Sequence, residues 1–195
     1  MMNARRRSRA FSLVELMVVI AVLAVTLTLA AGPFRDYILL QRLRSVQSQL
    51  VTDLAYARSE AISRDTFVQM RVQTSSNGTC YIVYSRPDSG IGSPCDCTAG
   101  AGSRCGSDRS EVKSVFLPSS ESISIGVPSG QSALLTISPR TGGVNMDSGM
   151  EFLAFTDYVV ETQIDQQRRF RTKMTPQGRV QVCSPDVTIV GGTQC

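Results

Sequence analysis

The chain begins with a long apolar stretch that contains one acidic residue. From Ala10 to Phe34 every residue is uncharged except Glu15. This stretch is longer than the roughly 20 residues that a membrane-crossing helix needs. Apolar residues then recur every three or four positions as far as Ala61, which is the period of an amphipathic helix. The pattern predicts one helix over about 11–64, with a second half whose apolar stripe must be covered by a sheet.

Short segments of alternating character follow this helix. FVQMRVQ (67–73) places Val68, Met70 and Val72 on one face, and Asn77-Gly78 before TCYIVYS (79–85) is a hairpin signal. One long helix followed by many short strands predicts an α+β fold whose body is an antiparallel β-sheet. The further predicted strands lie at 112–117, 122–127, 133–138, 150–164, 168–174 and 179–183.

The cysteines lie beyond the apolar stretch, so all six share one side of a membrane. Residues 86–110 are predicted to form a Cys-rich loop, because they hold too few apolar residues to pack by themselves. An even number of cysteines favours disulfides in an oxidising compartment. Zinc bound by four thiolates is the alternative, although Cys95 and Cys97 have C-x-C rather than C-x-x-C spacing. We expect disulfide bonds that staple the loop among Cys80, Cys95, Cys97 and Cys105, and a Cys183–Cys195 pair. Six cysteines allow about 15 connectivities, so the sequence does not fix the pairing.

The composition gives no support for catalysis. Histidine is absent, which removes the commonest general base and the commonest metal ligand. The net charge of +4 arises from four arginines before residue 10, because the other sixteen basic residues balance sixteen acidic ones. The only acyl-enzyme motif, SEVK (110–113), lacks its companion elements. We therefore expect no enzymatic activity, no cofactor and no metal.

One basic segment is a candidate binding surface. RRFRTKMTPQGRVQVC (168–183) has the pattern of a hairpin around residues 175–178. Alternation puts Arg169, Arg171 and Lys173 on one strand face, and Arg168 and Arg179 add two further cations. Such a stripe could grip the phosphate backbone of DNA. The alternative is a solvated strand face whose charges are balanced by the acids at 157, 161 or 165.

The N-terminal residues RRRSRA-FSLVELMVVIAVLA resemble the leader of type IV pilins and type II secretion pseudopilins. In that family a basic leader ends in a small residue, Phe follows, and Glu is fifth in the mature chain. Ala10 occupies the small position, where Gly is usual, and Glu15 falls on the fifth. The resemblance implies that prepilin peptidase cleaves after Ala10 and N-methylates Phe11. It also implies that Glu15 neutralises the amine of a neighbouring subunit in a filament. A secretory signal or a simple anchor would leave Glu15 unexplained.

The body resembles the GspH/FimT branch of minor pilins in its number of strands and in SPRTG (138–142) and TPQGRVQV (175–182). Some members of that branch bind DNA through a C-terminal Gly-Arg-x-Arg element. Gly178 and Arg179 match it, but Gln181 stands where the second Arg would be. The long helix packed on antiparallel sheet is also the architecture that the resemblance implies.

The resemblance implies a minor pilin or pseudopilin that contributes to filament assembly or priming. Its partners would be other pilin or pseudopilin subunits, prepilin peptidase and the inner membrane. The chain would be single-pass with its body in the periplasm, and would enter a pilus or pseudopilus after assembly. DNA uptake through 168–179 and a type II secretion role are the alternatives. The expected segments are a leader (1–10), a membrane or filament-core helix (11–34), its amphipathic continuation (35–65) and an exported body (66–195).

Overall fold

A computed structural model describes residues 11–87, 93–145, 157–185 and 193–195. Its long helix, α1, spans Leu13–Arg64, which confirms the helix predicted from the periodicity. The N–H of Glu15 donates to the hydroxyl oxygen of Ser12 at 3.3 Å, so Ser12 caps the first turn. Asp65 follows the last turn with a positive φ of 49°, a left-handed conformation that commonly ends helices.

The chain forms two compact units, residues 1–41 and 42–195, and α1 contributes to both. In the first unit the large apolar side chains from Phe11 to Leu27 are exposed, with exposed fractions of 46–75%. Among the residues that the structure describes, no helix is both long and apolar enough to cross a membrane. The membrane span predicted at 11–34 is therefore not confirmed.

Among the described residues, the second unit contains nine strands in two antiparallel sheets. The strands are β1 Phe67–Ser75, β2 Gly78–Arg86, β3 Ser110–Pro118, β4 Ser124–Gly126, β5 Leu134–Ile137, β6 Val144–Asn145, β7 Tyr158–Gln163, β8 Arg169–Met174 and β9 Val180–Cys183. Sheet A has the order β3-β2-β1-β5-β6 and sheet B has the order β4-β7-β8-β9. Each predicted strand has its counterpart, although residues 150–156 lie outside the described part of the chain. The pattern did not predict β6 or a one-turn 3₁₀ helix at Ser119–Glu121.

The apolar stripe of α1 is buried in the second unit, as the periodicity predicts. Leu43, Leu50, Leu54, Ala57 and Ala61 all have exposed fractions of 0–1%. The predicted inner face of β1 is buried as well, since the three residues at 68, 70 and 72 have exposed fractions of at most 5%. Burying this apolar surface supplies the main stabilisation of the second unit.

The Cys-rich segment covers the opposite face of sheet A. Cys80, Ile82 and Tyr84 of β2 form a second buried cluster with Cys95 and Cys97. These β2 residues alternate with Tyr81, whose hydroxyl bonds to α1, so the cluster lies on the face away from the helix. Sheet A is therefore covered on both faces.

Candidate functional site

The first turn of α1 is the first candidate site, because it contains the residues predicted to act in processing and assembly. Ala10 lies outside the described residues, whereas Phe11 is 75% exposed. Ser12 and Glu15 have the S-x-x-E spacing of a capping box, and the Ser12 hydroxyl accepts from the Glu15 N–H as that motif requires. Glu15 is the acidic residue of the first turn, where the positive end of the helix dipole favours a carboxylate.

The β8–β9 hairpin is the second candidate site. Its alternation is confirmed: Phe170, Thr172 and Met174 are buried, while the cations between them are half-buried on the other face. Glu161 of β7 lies beside these cations. Its Oε1 is 2.6 Å from Nε of Arg171 and 3.9 Å from an amino nitrogen of Arg169.

A second acid lies at the turn between β7 and β8. Asp165 forms an ion pair with Arg168 at 2.8 Å and accepts backbone hydrogen bonds from residues 167 and 168. The hydrogen bond from the Arg168 side chain lowers the pKa of this carboxyl below its ordinary value, and the two backbone bonds act in the same direction. Lys173 is half-buried and Arg179 is exposed. Three of the five predicted cations therefore face carboxylates of the same chain, as the solvated-face interpretation expects.

The tip of this hairpin is fixed by close backbone contacts. Gly178 has a positive φ of 78°, and a Cβ placed on it would lie 2.2 Å from the carbonyl oxygen of Gly142. An amino group of Arg58 on α1 donates to the Gly178 carbonyl at 3.0 Å. The glycine that matches the Gly-Arg-x-Arg element thus has a structural reason of its own, because no side chain fits there.

Two segments of the chain match known protein families. Residues 5–31 match the prokaryotic N-terminal methylation motif. Residues 47–178, more than half of the chain, match the model of the family described as type II transport protein GspH. The chain belongs to the GspH family. The first match runs from the N-terminal arginines into the apolar half of α1, so this GspH-family chain also carries the N-terminal methylation motif.

Two solved structures are similar to this GspH-family chain. Both are crystal structures of the type IV minor pilin FimU from Pseudomonas aeruginosa (strain PAO1). The structure in space group P65 has 14% identity and a TM-score of 0.47, and the match covers 72% of this chain and 92% of FimU. The structure in space group P21 has 16% identity and a TM-score of 0.48, with coverages of 74% and 90%. No curated protein matches the chain.

The cysteines of this family member form three disulfides. They are Cys80–Cys97, Cys95–Cys105 and Cys183–Cys195. This confirms the expected division: the first two bonds hold the Cys-rich loop, which we call the stapled loop, and the third closes the C-terminal tail. All six cysteines lie in the described part of the chain and none of them is free there, so the four thiolates of the zinc alternative are not present. Two β1 side chains hold the stapled loop. Arg71 donates to the Cys95 carbonyl at 3.1 Å, and the Cys97 N–H donates to Gln73 at 2.8 Å.

Sequence reasoning missed the buried polar contacts that fix α1 on the sheets. Asp53 accepts hydrogen bonds from Tyr81 of β2 and Lys113 of β3. Burial, together with this contact to Asp53, raises the pKa of Tyr81 well above its ordinary value. Gln47 bonds through its amide to Thr162 of β7 and Thr172 of β8. Because these residues are polar, the helical period assigns them to the solvent side of α1. Only the burial seen in the structure shows that they lie against the sheets.

Proposed function

We propose that this protein is a minor pilin or pseudopilin subunit that is cleaved after Ala10 and enters a pilus-type filament through α1. The methylation motif over residues 5–31 is the observation that carries the proposal. Cleavage after Ala10 would leave Phe11 as the first residue, next to Ser12, which caps the helix that begins at Leu13. The new amine would then stand one helical turn from Glu15.

The exposed apolar side chains of α1 support a role in assembly. An apolar surface that extends from Phe11 to Leu27 is far larger than a monomeric soluble protein usually leaves in water. In a filament, the equivalent helices of neighbouring subunits would cover it. Glu15 interrupts this surface with one carboxylate, which is tolerable in a dry core only if a cation pairs with it. The amine that cleavage creates on a neighbouring subunit is such a cation.

Glu15→Ala in the host cell tests the pairing role. We expect the variant to be cleaved normally but to enter sheared filaments at least tenfold less than wild type, because an unpaired amine would remain in the core. Mass spectrometry of the N-terminus reports cleavage, and immunoblots of filament and membrane fractions report assembly. Glu121→Ala is the matched control, since Glu121 is an exposed glutamate of the 3₁₀ helix.

Equal entry of Glu15→Ala and Glu121→Ala into filaments would overturn the pairing role. An uncleaved wild-type chain would overturn the processing step instead. DNA binding by the hairpin stays a prediction, because Glu161 and Asp165 already pair with Arg171 and Arg168. A place in type II secretion also stays a prediction, with the description of the matched GspH family model in its favour.

A further inference from the structure

Two turns that belong to different sheets contact each other directly. The β5–β6 turn (138–143) belongs to sheet A, and the β8–β9 turn (175–179) belongs to sheet B. The N–H of Val144 donates to the carbonyl oxygen of Pro176 at 3.0 Å. A Cβ placed on Gly143 would lie 2.5 Å from the same oxygen, so glycine permits this approach. We call this contact the turn junction.

Arg58 of α1 lies at the turn junction. Its amino group donates to the carbonyl of Gly178, and Cβ atoms built on Gly142 and Gly178 would lie 2.8 and 2.9 Å from its Nε. That Nε is buried and has no hydrogen-bond partner within the part of the chain that the structure describes. A buried donor without a partner is costly, so the burial of this guanidinium is not explained by hydrogen bonding alone. The guanidinium is better explained by the position that it imposes on the two turns.

We infer that Arg58 is a positioning residue that locks the tip of the β8–β9 hairpin to α1 and to the turn of sheet A. The hairpin is thereby held so that the basic face of β8, which carries Arg169, Arg171 and Lys173, is presented in one orientation relative to residues 42–64 of α1. The inference is independent of the proposed function, because it holds whichever partner meets that face. It also assigns Gly178 to packing, so this glycine gives no separate support to DNA contact.

Hydrogen exchange on the purified full chain in mild detergent tests the lock. Arg58→Met keeps the length of the side chain and removes its donors. Local opening should then raise the exchange of the amides at 144, 175 and 178 at least tenfold, the equivalent of one lost hydrogen bond to a charged group. The amide of Val72 in sheet A, which donates to Ala133 at 3.0 Å, should exchange as in wild type once any change in global stability is subtracted.

Arg64→Met is the matched control, because it makes the same change on the same helix at a side chain that is 67% exposed. If Arg58→Met does not fold, Arg58→Lys replaces it, since a point charge on a shorter head cannot reproduce the planar fork. Selective exchange at the turn junction in either variant supports the lock. Uniform exchange at all amides, or no change at the turn junction, would overturn it.

Discussion

The phenolic hydroxyl of Tyr81 donates a hydrogen bond to Oδ2 of Asp53, with the two oxygens 2.6 Å apart. The other carboxylate oxygen, Oδ1, is 2.5 Å from Nζ of Lys113. Tyr81 and Lys113 belong to neighbouring strands of sheet A, so one buried carboxylate of α1 contacts both. This arrangement fixes the rotation of α1 over the sheet, because only one helix face can bring Asp53 to these two donors.

Asp53→Asn should lower the free energy of unfolding of the body by about 1–3 kcal/mol. The substitution removes the charge that Lys113 faces and leaves one of the two hydrogen bonds poorly matched. Denaturant unfolding of the full chain in detergent measures the change. Asp65→Asn is the control, because Asp65 is exposed and asparagine tolerates its left-handed conformation. Equal stability of the two variants would show that the carboxylate of Asp53 contributes nothing.

Gly178→Ala should destabilise the body by about 2–4 kcal/mol, through backbone strain and through a clash with the Gly142 carbonyl. Gly130→Ala separates these two causes. Gly130 also has a positive φ, of 86°, but a Cβ there would meet none of the described residues within 4 Å. We expect Gly130→Ala to show the strain alone, about 1–2 kcal/mol in thermal or denaturant unfolding. A cost at position 178 no larger than at position 130 would contradict the close contact.

Replacing both Cys80 and Cys97 by alanine should destabilise the body by about 3 kcal/mol, since their bond closes a loop over a separation of 17 residues. Both cysteines are also buried, with exposed fractions of 1% and 4%. The same change at Cys183 and Cys195 should mainly free the C-terminal tail. Unfolding curves of the two double variants, measured without reductant, test the difference. A larger loss from the second pair would contradict the role of the stapled loop.

The basic face of β8 gives a prediction about DNA. If it grips phosphates, changing Arg169, Arg171, Lys173 and Arg179 to alanine should flatten the log–log salt slope of DNA binding by about 0.9 for each lost contact. The measurement is a salt titration of DNA binding by the full chain in detergent, beside the variant. Absence of wild-type binding at low salt would establish a solvated strand face. If the variant binds DNA with an unchanged salt slope, the DNA contacts another surface of the protein.

The ion pair of Asp165 with Arg168 predicts a dependence on pH. The folded pKa of Asp165 is lowered, so its contribution to stability is present above the unfolded pKa and is lost as the pH falls through the folded value. Asp165→Asn should therefore reduce the loss of stability on acidification below about pH 4. Unfolding measured at a series of pH values tests this. If the free energy of unfolding of the variant falls with pH as steeply as that of wild type, solvent screening cancels the effect at this exposed site.

Most elements could be predicted because each obeys one simple period, whereas the two-residue β6 and the one-turn 3₁₀ helix are too short to show one. Leu43, Leu50 and Ala57 repeat with the helix, and Val68, Met70 and Val72 alternate with the strand. The partition into two sheets could not be predicted, because strand patterns do not specify which edges pair. Glu161 shows the same limit at the site: it was one of three candidate acids, and only the pairing of β7 with β8 brings it beside Arg171. Arg58 gives no local signal, because the turns that it joins lie far from it in sequence.

The two disulfides of the Cys-rich segment overlap along the chain, since Cys95 lies within the span closed by Cys80 and Cys97. Exchanging the partners of Cys95 and Cys97 would give another isomer with nearly the same loop lengths. The difference between the isomers therefore comes from how the two cysteines are presented. Arg71 donates to the carbonyl of Cys95 and Gln73 accepts from the N–H of Cys97, so β1 positions these two cysteines for disulfide formation. We expect the chain to select its own disulfide isomer once β1 has formed.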